Sequence, residues 1–194
     1  MNNNIKEINE IFFPLIEKID TLLKCGKAII GIDGGSGSGK TTLASLLCEI
    51  YDATVFHMDD FFLTPSMRTM ERLSEVGGNV DRERFENEVL IPLKQGADVN
   101  YRRFDCKSSI LSTPVSVKPK NLVIIEGSYS LHPDLIKYYD FSVFLDIDVE
   151  KQNERIKKRN GEGAKAFFEK WIPLENIYFE KTQIKDRCDM IIKI

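Results

Sequence analysis

The apolar positions near the start of this 194-residue chain repeat with a regular spacing. Between residues 5 and 23 they recur every three or four positions, the period of one face of an α-helix, and predict an opening amphipathic helix within residues 1–24. Its polar side carries no stripe of lysine and arginine, so packing on the domain is favoured over a membrane-surface role. The apolar residues of this face are Ile5, Ile8, Phe12, Leu15, Ile16, Ile19, Leu22 and Leu23.

Further along, short apolar runs alternate with segments of helical period. Nearly continuous runs of this length are typical of strands covered on both faces, as in a mainly parallel sheet. The pattern predicts an α/β domain of three layers with a five-stranded sheet flanked by helices. A polar, turn-rich stretch at 64–79 predicts a loop or small insertion over a site. The predicted strands are 28–32, 53–58, 122–125, 141–145 and 190–194, and the predicted helices are 40–50, 82–94, 132–139 and 149–159.

Length and composition limit the classes of protein to consider. The length of the chain is typical of a single domain, residues 1–194. Its 27 basic and 30 acidic side chains give a formal net charge of −3. No overall basic field attracts nucleic acid or a membrane, so we expect neither as a partner; a homo-oligomer stays open. No apolar run is long enough to span a bilayer. The scattered cysteines argue against a zinc site or a disulfide framework and predict a cytoplasmic location. They are Cys25, Cys48, Cys106 and Cys188.

A glycine-rich loop follows the first predicted strand and precedes a predicted helix. It satisfies the phosphate-loop pattern G-x-x-x-x-G-K-S/T, in which glycines let backbone N–H groups approach a phosphate at a helix N-terminus. We expect Lys40 to reach the β- and γ-phosphates and the Thr41 hydroxyl to bind Mg²⁺. A flexible turn with an exposed lysine does not explain why strand, glycine-rich loop and helix follow one another in the order that the motif requires. A dinucleotide-binding loop does not explain the presence of Lys40 and Thr41. The predicted nucleotide-binding residues are Gly34, Gly35, Ser36, Gly37, Ser38, Gly39, Lys40, Thr41 and Thr42.

Acidic residues follow two of the predicted strands. Ligands of parallel α/β sheets bind beyond the carboxyl ends of the strands, so Asp59, Asp60 and Glu126 are candidates for the site. Neighbouring side chains of a strand alternate, so only one of Asp59 and Asp60 is expected to face it, and the period does not say which. Such a carboxylate can accept the proton of an attacking hydroxyl or hold Mg²⁺ through water. The alternative is that these acids are only solvated residues at the ends of strands. The phosphate loop that precedes them makes a role in the site the favoured interpretation.

The chain resembles the P-loop kinases that include uridine kinase, phosphoribulokinase and nicotinamide riboside kinase. The resemblance rests on GGSGSGKTT, MDDFF, GGNVDRERF, YRRFDC, VIIEGSY and RIKKRN, in this order. It implies the P-loop NTPase fold, the use of ATP and Mg²⁺, and transfer of the γ-phosphoryl group to a hydroxyl of a small molecule, with uridine or cytidine preferred. It also implies that Asp59 is the general base and lies near Mg²⁺. Asp81 would hold sugar hydroxyls, and Glu126 would lie near the metal.

A basic segment at about 151–170 resembles the mobile lid of these kinases. Arg155 and Arg159 correspond to arginines that close over the phosphates, and residues 160–163, Asn-Gly-Glu-Gly, suit a hinge. Positive charge here could neutralise the transferring phosphoryl group and exclude water, whereas the alternative is a solvated helix face. With Lys40 and Asp59, these two arginines complete the predicted catalytic set.

The acceptor is the less determined part of the prediction. Uridine kinases carry a tyrosine before the aspartate that corresponds to Asp105, whereas this chain has Phe104 there. The other acceptors considered are nicotinamide riboside, pantothenate or a phosphosugar, and a regulatory NTPase is a further alternative. Trp171 could stack on a base, although an aromatic stripe is more often core, and Pro173 is expected to bend or interrupt any helix. His57 and His132 are expected to be structural. The predicted acceptor-binding residues are Asp59, Phe62, Asp81, Tyr101 and Arg103.

Overall fold

The computed structural model describes residues 3–194, with side chains described from residue 10 onward. Residues 1 and 2, and the side chains of Ile5 and Ile8, lie outside this part. The helices are α1 (Asn3–Lys24), α2 (Lys40–Tyr51), α3 (Met70–Ser74), α4 (Arg82–Phe85), α5 (Ile91–Lys94), α6 (Val149–Asn160), α7 (Ala164–Ala166), α8 (Ile172–Thr182) and α9 (Ile184–Arg187). The strands are β1 (Ala28–Gly34), β2 (Thr54–His57), β3 (Val99–Tyr101), β4 (Phe104–Asp105), β5 (Ile110–Leu111), β6 (Val115–Val117), β7 (Leu122–Glu126), β8 (Phe141–Asp146) and β9 (Met190–Lys193).

The central sheet is parallel and contains five strands in the order β2-β7-β1-β8-β9. Each of these strands covers one of the five predicted apolar runs, which confirms the fold class. The loop at residues 34–39 leaves the carboxyl end of β1, a central strand with a neighbour on either side. Ligand-binding residues therefore converge at this end of the sheet.

Alternate side chains of the strands enter two different cores. Ile30 of β1 packs with Leu15 of α1 and Leu43 of α2 on one face of the sheet. Ile29 packs on the other face with Phe85, next to the α4 and α5 segment. This alternation buries both faces and produces the three layers that the continuous apolar runs predict.

Two parts of the secondary structure differ from the sequence prediction. The helix expected at 132–139 is wrong: only Ile136–Tyr138 is helical, as a 3₁₀ turn, because a short segment that contains Pro133 favours i→i+3 bonds. Residues 99–117, for which no element is predicted, contain two antiparallel pairs, β3 with β6 and β4 with β5. Strands of two or three residues are too short for an alternation of apolar and polar side chains to be recognised in the sequence.

Two helical segments contain a π-helical turn directly before an Ile-Pro-Leu sequence. The turn Glu86–Leu90 joins α4 to α5, and the turn Phe167–Trp171 joins α7 to α8. After each turn the next amide donates to the carbonyl five residues earlier. The wider turn relieves the clash between a proline ring and the carbonyl four residues before it. The helix therefore continues through Pro173 rather than ending there.

No helix of the described residues is long and apolar enough to cross a membrane.

Candidate active site

The phosphate loop is folded around the side chain of Lys40. Its Nζ donates hydrogen bonds to the carbonyl oxygens of Gly34 at 2.8 Å and Gly35 at 3.1 Å. Gly37 and Gly39 have φ values of 81° and 100°, in the left-handed region that favours glycine. The loop thereby reaches the first turn of α2, a position where backbone amides can approach an anion. The amides of Gly34, Ser36 and Ser38 are already bonded within the protein.

Ser36, at the tip of this loop, is held by two buried side chains from later helices. Glu175 of α8 accepts hydrogen bonds from the Ser36 amide at 2.9 Å and from its hydroxyl at 2.7 Å. Gln152 of α6 donates from Nε2 to the Ser36 carbonyl oxygen at 2.8 Å. All three hydrogen-bonding groups of Ser36 are thus satisfied, by α6 within the lid segment and by α8 after it. The sequence did not indicate Glu175, because it is a single acidic residue in a helix rich in aromatic residues and belongs to no motif.

Ser128 extends this network to the end of β7. Its hydroxyl donates to Glu175 Oε1 at 2.7 Å and lies 3.5 Å from Lys40 Nζ. Glu175 therefore accepts three hydrogen bonds although it is only 4% exposed. A buried carboxylate with this many donors fixes the loop and β7 relative to one another.

A second buried acid, Asp33, lies in β1 directly before the phosphate loop. It accepts hydrogen bonds from the amides of Gly34 and Leu131 at 2.7 and 3.0 Å and from the Tyr178 hydroxyl at 2.8 Å. Burial nevertheless raises the pKa of Asp33 to about 6, because desolvation outweighs these donors and the charge of Lys40. Glu175 and Tyr178 both belong to α8, so one helix face contacts the loop at two points.

Asp59 and Asp60 lie in the 3₁₀ turn Met58–Phe61 and point in different directions. Asp59 faces the cavity above the loop, together with Lys40. Asp59 is exposed to the cavity, but the protein around its carboxyl displaces enough water to raise the pKa of Asp59, an effect that Lys40 opposes. Asp60 instead approaches Arg103, with 3.5 Å between its Oδ2 and Arg103 Nε. The structure thus places Asp59, and not Asp60, in the cavity.

The predicted metal-binding residues Thr41 and Glu126 contact each other. Thr41 Oγ1 donates to Glu126 Oε1 at 3.3 Å, and His57 Nδ1 lies 2.5 Å from the same oxygen. This hydrogen bond raises the pKa of His57, against the effect of burial. His57 therefore contacts a site residue, which the sequence did not indicate. Among the described residues no cluster of three or more His, Cys, Asp or Glu side chains could hold a metal. The hard oxygen donors fit Mg²⁺ if phosphate and water supply its other ligands.

The two predicted lid arginines line the same cavity. Arg155 Nη1 donates to the carbonyl oxygen of Gly37 at 3.1 Å, so α6 already lies against the phosphate loop. Arg159 donates from Nε to Asn160 Oδ1 at 2.8 Å and lies over the ring of Phe167. Gly161, within the segment expected to be a hinge, has a φ of 52°.

Two connected cavities cover the carboxyl end of the sheet. The larger, of about 1040 Å³, lies over the phosphate loop, and the smaller, of about 610 Å³, lies beside it. Phe62 and Trp171 line both, with their ring centroids 6.0 Å apart. Trp171 thus belongs to the cavity walls and not to the interior of the core. Thr42 lines the larger cavity.

Three of the predicted acceptor-binding residues are not brought to these cavities. Asp81 caps α4 and accepts from the amide and Nε of Arg84, each at 3.1 Å. Tyr101 is 2% exposed and packs between Phe56 and Phe61. Arg103 donates from Nε to the Tyr101 hydroxyl at 3.0 Å. None of the three lines either cavity, because each side chain is engaged by the core or by a neighbouring charge.

This loop, placed between strand and helix of a parallel sheet with acids at the neighbouring strand ends, defines the class of P-loop nucleotide-binding α/β proteins. The model of the Phosphoribulokinase / Uridine kinase family matches residues 29–161, and the chain belongs to this family of P-loop kinases.

Known relatives cover most of the chain. The uridine kinases of Macrococcus caseolyticus and Staphylococcus haemolyticus are each 28% identical over 182 residues, which span 84% of this chain and 86% of the relative. A solved structure described as a possible uridine kinase from Bacillus stearothermophilus is 24% identical, with a TM-score of 0.65 over 92% of this chain and 99% of that one. The structural likeness confirms the fold.

Proposed function

We propose that this protein transfers the γ-phosphoryl group of ATP to a hydroxyl of a small molecule, with a ribonucleoside, uridine or cytidine first, as the acceptor. The observation that carries the proposal is the placement of Asp59. Its carboxyl shares the larger cavity with Lys40 and the phosphate loop, and the charges of the two side chains interact. A base on one side of bound phosphates and a cation beneath them is the arrangement that phosphoryl transfer requires.

Asp59 is the group that accepts the proton of the attacking hydroxyl. As the oxygen forms its bond to the γ-phosphorus, its proton passes to the Asp59 carboxylate and ADP departs. The raised pKa of Asp59 makes the carboxylate a better base than an aspartate of ordinary pKa. Asp59 lines the larger cavity, and Phe62 and Trp171 line both cavities, so an acceptor in the smaller cavity could present its hydroxyl to the base.

The loop amides, Lys40 and the lid arginines hold the phosphates. Lys40 and Arg155 contact different carbonyl oxygens of the loop, so both charges lie near the place where negative charge accumulates during transfer. Mg²⁺, held by Thr41 and Glu126, would neutralise phosphate charge when bound. Apolar side chains at the far end of the larger cavity, beyond the first turn of α2, suit the base of ATP. They are Ile11, Phe12, Leu46 and Ile194.

The experiment is a screen of acceptors with the purified protein, ATP and Mg²⁺. Nucleosides, free sugars, sugar phosphates, nicotinamide riboside and pantothenate are each incubated with the protein, and phosphorylated products are read by mass together with ADP. We expect product with uridine or cytidine and none with the Lys40→Ala variant. ADP formation at the same rate with and without every acceptor would contradict the proposal and favour an NTPase.

A further inference from the structure

Two polar side chains that this mechanism does not use lie next to Asp59. Tyr129, three residues beyond Glu126, lines the larger cavity together with Asp59. Asn79, at the end of the 64–79 insertion, lines both cavities. Tyr129 Oη and Asn79 Nδ2 are buried and close enough to interact, but among the described residues neither makes a hydrogen bond of normal length and angle.

Unpaired polar atoms of this kind are costly. A buried donor without a partner destabilises the folded protein, and most buried polar groups in native proteins are paired. Other tyrosines of this chain follow that rule. The hydroxyl of Tyr178 donates to Asp33 Oδ2 at 2.8 Å, and that of Tyr139 donates to the Ser130 carbonyl oxygen at 2.7 Å. Tyr129 therefore departs from the pattern set by its neighbours.

The position of the Tyr129 hydroxyl is fixed by its backbone and by its ring contacts. Tyr129 has a φ of 74°, a left-handed conformation that is strained for an aromatic residue. Its ring centroid lies 4.9 Å from that of Tyr178. A Cβ atom at Gly77 would lie 3.3 Å from the Tyr129 ring, so the insertion also packs closely against it. Local strain that surrounding contacts maintain is typical of functional sites.

The hydroxyl and the amide are neighbours, and both can donate. Burial raises the pKa of the Tyr129 phenol, the charges of Glu175 and Asp33 raise it further, and the Asn79 amide opposes the rise. Tyr129 thus stays a neutral O–H donor at physiological pH, and the Nδ2 group of Asn79 adds a second donor. The two suit a ligand that offers two oxygen acceptors.

The smaller cavity suits an uncharged and apolar body. Its charged lining residues balance, with Arg68 and Lys170 against Glu75 and Glu169. The Arg68 guanidinium is already engaged, because Nε donates to the Leu63 carbonyl oxygen at 3.1 Å and the group lies over the Phe104 ring. Lys170 Nζ lies over the Trp171 ring, so the lining offers a phosphate group neither an excess of positive charge nor a cation free of other contacts. The apolar walls are formed by Phe62, Phe104, Trp171, Leu174 and Ile177.

We propose that Tyr129 and Asn79 determine acceptor specificity by donating hydrogen bonds to oxygens that flank the reacting hydroxyl. This orients the hydroxyl toward Asp59 while the uncharged, apolar part of the acceptor occupies the smaller cavity. The acceptor class is then a neutral polyol with an aromatic or apolar body, and sugar phosphates are excluded. This inference rests on the proposed kinase function.

The kinetic test uses Tyr129→Phe and Asn79→Leu, with uridine or whichever compound of the screen the wild-type protein phosphorylates as the probe. Each variant should lower kcat/KM for the acceptor roughly tenfold or more, while KM for ATP changes by less than about twofold. The matched control is Tyr139→Phe, which removes a partnered hydroxyl and should leave both constants unchanged. A wild-type protein that phosphorylates nothing contradicts the proposed function. Activity with unchanged acceptor kinetics in both variants overturns only the present inference.

A thermal test separates recognition from a structural role. Tyr129→Phe should keep or raise the melting temperature, because it removes an unpaired buried hydroxyl and keeps the ring packing. Tyr139→Phe should lower it by several degrees, because it leaves the Ser130 carbonyl without its donor. A loss at Tyr129→Phe as large as that of the control would show that the hydroxyl has a structural partner, and would overturn the inference.

Discussion

Glu175 accepts hydrogen bonds from both the amide and the hydroxyl of Ser36, so a helix beyond the lid segment holds the tip of the phosphate loop. The two residues are 139 positions apart in the chain. The same carboxylate accepts from Ser128, next to the end of β7. A loop whose conformation is fixed before nucleotide arrives does not lose that freedom on binding, which favours affinity.

Replacing Glu175 with alanine should loosen the phosphate loop. The variant leaves the Ser36 amide and the Ser128 hydroxyl without their acceptor, and we expect a loss of about 1–3 kcal/mol in the free energy of unfolding and roughly tenfold weaker ATP binding. Urea unfolding and nucleotide titration measure the two effects. Glu180→Ala is the control, because Glu180 is an exposed residue of the same helix. Equal stability and ATP affinity in both variants would contradict the role of Glu175.

Replacing Asp59 with asparagine should stop phosphoryl transfer while leaving ATP binding intact. The substitution removes the proton acceptor without altering the loop, and general bases contribute about 10²–10⁴-fold to rate. Single-turnover kinetics and ATP titration distinguish the two steps. Because the pKa of Asp59 is raised, wild-type kcat should fall as the pH is lowered through a value above the ordinary 3.8 of aspartate. Undiminished turnover in the variant would rule out Asp59 as the base.

Removing the His57 side chain should increase the Mg²⁺ requirement. His57 holds the Glu126 oxygen that also contacts Thr41, and residues that orient a metal-binding side chain typically contribute about 10–100-fold to metal affinity. We expect His57→Ala to raise the Mg²⁺ concentration at half-maximal activity about tenfold or more. His132→Ala is the control, since His132 stacks on Tyr178 and not on Glu126. An unchanged Mg²⁺ dependence would show that Glu126 is positioned without His57.

Asp33 should make stability depend on pH in the direction opposite to a salt-bridged carboxylate. Its pKa in the folded protein is about 6, above the ordinary value of 3.8, so the folded state binds the proton more tightly. Deprotonation between about pH 4 and 6 therefore lowers the free energy of unfolding, by about 3 kcal/mol when complete. Wild type should exceed Asp33→Asn in stability by more at about pH 4.5 than at about pH 7.5. A difference that is larger at the higher pH would show that the three donors outweigh burial.

The sheet and the phosphate loop could be predicted because their signals are local. Each central strand is an apolar run, and the residues from Gly34 to Thr41 form a motif whose spacing reflects the geometry of one turn. The sequence also indicates that an acid lies beyond the end of β2, but the choice of Asp59 over Asp60 rests on the family resemblance. In each case the residues that matter are neighbours in the chain.

The acceptor side could not be predicted because its contacts depend on the tertiary structure. Tyr101 resembles a binding residue in the sequence, but β3 directs it into the core between two phenylalanines. Asp81 is engaged by Arg84 three positions later. Glu175, Asn79 and Tyr129 reach the site from three separate segments. Asn79 and Tyr129 lie in GGNVDRERF and VIIEGSY, but nothing in these motifs distinguishes them from their neighbours, and Glu175 lies in no motif.

The π-helical turn Phe167–Trp171 determines which side chains of α8 meet the phosphate loop. Each residue of an α-helix turns the chain by about 100°, so the extra residue of a π turn shifts every later side chain to a new direction. Glu175 and Tyr178 depend on that offset to reach Ser36 and Asp33. A homologue with one residue fewer in this segment would direct other side chains to the loop. A sequence alignment that places the gap after α8 instead of within the turn would match Glu175 to a residue that has no part in nucleotide binding.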